Sequence, residues 1–140
     1  MTGAVLMHAS CVAVSGRGVL IIGPSGSGKS ALALQLLAYG AALVADDQTE
    51  LTVEGDSLIA RCPAMLRGLV EARGVGLLRA EAVTQAEVRL VADMETAEPD
   101  RLPPHRTVTL LGKQVALVLG RGNDHFAASV LCYLTGSRQA

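Results

Sequence analysis

The chain has 140 residues, half of them apolar and 18% charged, with a net charge of −1. That is the length of one domain, residues 1–140, with enough apolar content to bury a core without disulfides or metal, which excludes intrinsic disorder. The near-neutral balance and the presence of three aromatic residues (Tyr39, Phe126 and Tyr133) exclude nucleic acid as the main partner, by charge or by base stacking. Residues 5–14 read as a first extended segment, followed by a turn at Gly16-Arg17-Gly18. Residues 18–22 are short, apolar and β-branched, the pattern of a buried strand. After a Gly/Ser loop, residues 29–39 carry Ala31, Leu32, Ala33, Leu34, Leu36 and Leu37, all good helix formers, and Gly40 is a fitting stop. Residues 41–45 read as a second buried strand ending in Asp46-Asp47. Strand, loop, helix and strand make a βαβ unit, expected to be parallel and right-handed, with the acid pair emerging beside the first buried strand.

Beyond the acids the pattern turns to strands. Residues 49–53 and 57–61 flank Glu54-Gly55-Asp56 as a hairpin. Residues 66–71 precede the Gly-rich run Arg73-Gly74-Val75-Gly76, and 88–91 read as a strand. Pro99, Pro103 and Pro104 mark 97–104 as a loop, 107–111 and 114–119 as two strands around Gly112-Lys113, and 125–133 as a closing helix. The fold class expected is α/β, with a βαβ start and a mixed sheet.

Mean hydropathy is +0.39, but the apolar runs are far shorter than the roughly 18 residues a membrane helix needs. No Lys or Arg precedes residues 4–7, and His8 interrupts that stretch, so no signal peptide is read and the expected compartment is the cytoplasm. Cys11, Cys62 and Cys132 are scattered and odd in number, which suits small buried apolar residues in a reducing compartment.

The chemistry sits in three stretches. Gly23-Pro24-Ser25-Gly26-Ser27-Gly28-Lys29-Ser30 is a complete G-x-x-x-x-G-K-[ST] loop between an apolar strand and an apolar helix. Its glycines let successive backbone amides turn inward on phosphate oxygens, with the helix N-terminus behind them. Lys29 would neutralise the β- and γ-phosphates and Ser30 would hold Mg²⁺. Asp46-Asp47, an adjacent acid pair, stands where open α/β sheets bind ligands. One of its carboxylates would hold Mg²⁺ through water and the other accept a proton from an attacking hydroxyl. In Glu71-Ala72-Arg73-Gly74-Val75-Gly76, Glu71, Arg73, Gly74 and Gly76 read either as backbone held close to a ligand or as a surface loop. The loop alone does not choose among kinase, ATPase and GTPase.

Taken in order, these residues resemble the catalytic C-terminal domain of the HPr kinase/phosphorylase family, in a short form without the N-terminal domain of its longer members. The family's pattern is a His upstream of the P-loop, then V-A-D-D, then E-x-R-G-x-G. Here these are His8, 21 residues before Lys29, then Val44-Ala45-Asp46-Asp47, with Asp47 18 residues after Lys29, then Glu71-Ala72-Arg73-Gly74-Val75-Gly76. Asp100-Arg101-Leu102 is similar to a later D-R-L. The resemblance implies an ATP- and Mg²⁺-dependent protein serine kinase acting on HPr, assembled as a homo-oligomer, a hexamer. Asp47 would be the general base, and the acid in the reverse direction. His8 would support Asp47, Glu71 would bind Mg²⁺ with Ser30, and Arg101 would stabilise phosphoryl charge. A segment tied to the dephosphorylating activity is matched by Val118-Leu119-Gly120-Arg121 without its proline, so the resemblance speaks for the kinase direction more than for the phosphorylase. Two other readings stand beside it, a P-loop kinase of small molecules and a nucleotide-binding regulatory module without transfer activity.

Overall fold

A computed structural model describes residues 3–140. In chain order it runs β1 (Val5–Met7), β2 (Ser10–Val14), β3 (Arg17–Ile22), α1 (Lys29–Ala38), β4 (Ala42–Ala45), β5 (Thr49–Glu54) and β6 (Ser57–Arg61). A 3-10 turn at Ala64–Leu66 follows, then β7 (Leu69–Ala72), β8 (Gly76–Arg79), β9 (Gln85–Asp93), β10 (Arg106–Leu110), β11 (Lys113–Leu119) and α2 (Phe126–Gly136). The strands form a nine-stranded mixed sheet ordered β1-β5-β6-β9-β3-β2-β4, with β11 on β9 and β10 on β11. β7 and β8 make a separate two-stranded ribbon.

The sheet is mixed because its centre and flanks follow different rules. β3, β9 and β11 are parallel, and their carboxyl ends open on one edge. β2 pairs antiparallel with both β3 and β4. β4 is therefore parallel to β3, as a βαβ unit requires, but β2 lies between them; the expected adjacency of the two strands does not hold. The pattern of residues 5–14 also divides. Val5–Met7 pairs with β5 and Ser10–Val14 with β3 and β4, and the chain bends at His8 and Ala9. Residues 46–48 make the matching bend between β4 and β5. One bent run of chain thus faces another, the two ends of the strand order meet at the bends, and the sheet curls on itself.

Alternation along the strands fills two cores. Val12, Val19, Ile21, Leu90 and Ala92 point to the helices, where they meet Leu32, Ala33 and Leu36 of α1 and Phe126, Val130 and Leu134 of α2. Their neighbours Cys11, Ala13, Leu20 and Val91 point inside the curl and meet Val44, Leu51, Leu58 and Val115. Period-two alternation with both faces covered explains why these strands are apolar throughout. Truncating Leu20 or Leu90, both fully buried, would cost about 2–5 kcal/mol. Cys11 and Cys62 are buried as expected, but Cys132 is exposed, since its position on α2 faces away from the sheet.

Candidate active site

The loop after β3 carries the site. Gly23, Gly26 and Gly28 take φ of +144°, +84° and +103°. At Gly23 a Cβ would collide with the Ser27 side chain, so the turn closes with glycine alone. Gly28 caps α1 in the left-handed region, no side chain occupies the helix N-terminus, and no acid lies in its first turn. The orphan amides of that turn are thus left to a ligand. Lys29 is only 6% exposed, and its ammonium is held by the carbonyls of Gly23 at 2.8 Å and Pro24 at 3.1 Å. Among the described residues no carboxylate pairs with it. A buried cation held by its own loop fits an anionic ligand, which would supply the missing charge. Ser27 Oγ is sealed beneath the loop without a hydrogen-bond partner, a second group left over by the protein alone.

Asp46 ties three elements together. Its Oδ1 accepts from Ser10 Oγ at 3.0 Å and from Ser30 Oγ at 3.1 Å, and its Oδ2 accepts from the Glu71 amide at 3.0 Å. Asp47 turns the other way. Its backbone has φ +68°, its Oδ1 lies 2.6 Å from His8 Nε2, and both side chains are solvent-exposed. A non-glycine residue in that region costs about 1–3 kcal/mol, and such strain clusters at functional sites. The bend is anchored below by Thr49 Oγ1, which donates to the Ala9 carbonyl at 2.8 Å.

His8, Ser25, Gly26, Gly28, Lys29, Ser30, Asp47, Glu71 and Arg73 line one cleft of about 550 Å³. Lys29, Ser30, Asp47 and Glu71, expected to act on phosphate, metal and hydroxyl, therefore share one space. Gly74 and Gly76, with φ +83° and +144°, form the β7–β8 turn beside it rather than its wall. Arg101 is exposed in the Pro-rich loop and lines neither this cleft nor the one across the P-loop. That second cleft, about 290 Å³, lies at the carboxyl ends of β3, β9 and β11, between Pro24-Ser25-Gly26-Ser27, Met94, Glu95 and Arg121. Ser10 went unread in the sequence, because a serine in an apolar strand carries no motif and its partners lie 36 and 37 residues away.

No group of three or more His, Cys, Asp or Glu side chains among the described residues could hold a metal by itself. The oxygen donors at hand, Ser30, Asp46, Asp47 and Glu71, suit a hard cation completed by phosphate oxygens and water, as Mg²⁺ is commonly bound.

A sequence model for the HPr Serine kinase C-terminal domain matches residues 1–105. The HPr kinase/phosphorylase of Aromatoleum aromaticum is 40% identical over 123 residues, 78% of this chain and 39% of that protein. That of Cupriavidus necator is 38% identical over 110 residues, 71% of this chain and 34% of its own. The chain thus spans well under half the length of these curated relatives. The solved Hpr(Ser) kinase/phosphatase from Coxiella burnetii superposes with a TM-score of 0.77 at 29% identity, covering 93% of this chain and 87% of that one.

Proposed function

The chain belongs to the HPr serine kinase C-terminal domain family, and on that premise we propose that it transfers the γ-phosphoryl group of ATP to a serine of HPr. The observation that supports this most strongly is the shared cleft, in which Lys29, Ser30, Asp47 and Glu71 face one another. The loop amides and Lys29 would hold the phosphates, and Ser30 and Glu71 would hold Mg²⁺. Magnesium, when bound, neutralises charge developing between the β- and γ-phosphates. Asp47 accepts the proton of the serine hydroxyl as its oxygen bonds to the γ-phosphorus. The bond from that phosphorus to the bridging oxygen breaks, and its electron pair leaves with ADP. His8, in contact with the Asp47 carboxylate, orients it. Arg73 lines the cleft and Arg101 does not. No helix among the described residues is long and apolar enough to cross a membrane; a cytoplasmic setting follows from the proposed substrate.

The test is to mix the chain with radiolabelled ATP, Mg²⁺ and purified HPr, and to measure ATP binding by calorimetry in parallel. Label on an HPr serine supports the reading. ATP binding without transfer would replace it with a nucleotide-binding module, and label on a small molecule instead of HPr with a metabolite kinase.

A further inference from the structure

Building on the reading of Asp47 as the base, we propose that Ser10 is a positioning residue that holds this base in its working orientation. Residues 46–48 form a three-residue turn. The Gln48 amide donates to the Asp46 carbonyl at 2.8 Å, and Asp47 at its centre has φ +68°. A γ-turn of this hand is rare and strained, and persists where its surroundings hold it. Ser10 supplies the hold. It is 0% exposed, at the bend between β1 and β2. Its hydroxyl donates to Asp46 Oδ1 at 3.0 Å and accepts from the Asp47 amide at 3.0 Å. One small side chain thus grips the Asp46 carboxylate and the Asp47 amide together. A hydroxyl can do this because it carries a donor and acceptor lone pairs on a single atom.

The grip decides where the two acids point. With the peptide fixed, Asp46 turns to Ser30 and the Glu71 amide, while Asp47 turns to His8 and the open cleft. Without the hydroxyl, Asp46 keeps Ser30 and Glu71, but the Asp47 amide loses its acceptor and the turn is free to relax to negative φ. The Asp47 carboxylate then leaves His8. The P-loop and Lys29 are not touched by this change, so nucleotide binding stays.

The experiment compares wild type with Ser10→Ala, Ser10→Thr and Asp47→Asn, each for kcat, KM for ATP, melting temperature and crystal structure. Ser10→Ala should lose up to about 10²-fold in kcat, the scale of a misplaced catalytic group, with KM for ATP unchanged. Ser10→Thr, which keeps the hydroxyl, should recover much of that loss. In the Ser10→Ala crystal structure Asp47 should have left both positive φ and its contact with His8. Full kcat in Ser10→Ala beside a crippled Asp47→Asn overturns the role of Ser10 and leaves the base intact. Full kcat in Asp47→Asn sinks the base itself. Asp47 unmoved in the Ser10→Ala crystal overturns the proposed grip whatever the rates. A parallel loss of kcat, ATP binding and melting temperature that Thr does not restore would make Ser10 a packing residue and likewise overturn it.

Discussion

Two turns with left-handed backbone stand at the edges of the same cleft, and they are built from different residues. The β7–β8 turn places glycine at its positive-φ positions, Gly74 at +83° and Gly76 at +144°, and a Cβ at either would meet no neighbour within 4 Å. The bend between β4 and β5 places Asp47 at +68°, held by Ser10 and touching His8. Where only the shape of the chain matters, glycine supplies it without strain. Where an aspartate takes a similar shape, its side chain is wanted there and its neighbours bear the cost. The first turn presents Arg73 by geometry alone; the second presents a carboxylate by a network.

Replacing Asp47 by glycine sets the two turns equal. Asp47→Gly should lose about 10²–10⁴ in phosphotransfer rate, the usual contribution of a general base. It should also melt no lower than wild type, and gain up to about 1 kcal/mol by relief of the left-handed strain. A clear drop in melting temperature would mean that the side chain is there for stability. The converse change is Gly76→Ala, which puts a Cβ where φ +144° suits glycine only. It should destabilise by about 1–3 kcal/mol in thermal denaturation. Gly74→Asn should cost less, because asparagine tolerates φ near +80° better than alanine does.

Much of this was legible in the sequence, and unevenly so. The P-loop was readable because its glycines, lysine and serine are fixed by local backbone chemistry between a strand and a helix. Of the three hairpins of the main sheet, β5–β6 and β10–β11 were readable from their turns, Glu54-Gly55-Asp56 and Gly112-Lys113. β9 reads short because its first residues, Gln85 and Glu87, are polar while it pairs with β6, and only its later half is apolar on both faces. The insertion of β2 between β3 and β4 was not legible at all, since hydrophobic period reveals which residues are buried and not which strand lies beside them. Ser10 and the bends it joins were hidden for the same reason: their contacts span 36 and 37 residues of chain. Arg101 illustrates the reverse, a motif match whose loop lies outside the cleft.

Asp46 separates holding from reacting. Asp46→Asn keeps an acceptor but turns an NH₂ group toward one of its three donors, Ser10, Ser30 or the Glu71 amide. Its expected mark is a higher Mg²⁺ requirement, with turnover at saturating Mg²⁺ reduced less than in any Asp47 variant. An Mg²⁺ titration identical to wild type would remove Asp46 from the metal's surroundings.

The smallest effect probes the dryness of the bend. Cys11 follows Ser10 in β2, and burial pushes its thiol from the ordinary 9.0 up to about 12. Because the folded value is raised, the thiol's contribution to stability is whole below about 9 and is lost as pH rises from there toward about 12. At pH 8 a thiol reagent should label the exposed Cys132 quickly and leave Cys11 unlabelled in the folded chain. Fast labelling of Cys11 would show the bend opening to water.

The most direct test of Asp47 as the base is a single-turnover measurement of phosphotransfer to HPr by wild type and Asp47→Asn, with ATP saturating both. With nucleotide affinity assigned to the P-loop amides and Lys29, the account predicts equal ATP binding and a rate lower by about 10²–10⁴ in the variant. A variant that binds ATP equally and transfers within about tenfold of wild type, too small a loss for a missing base, would contradict it.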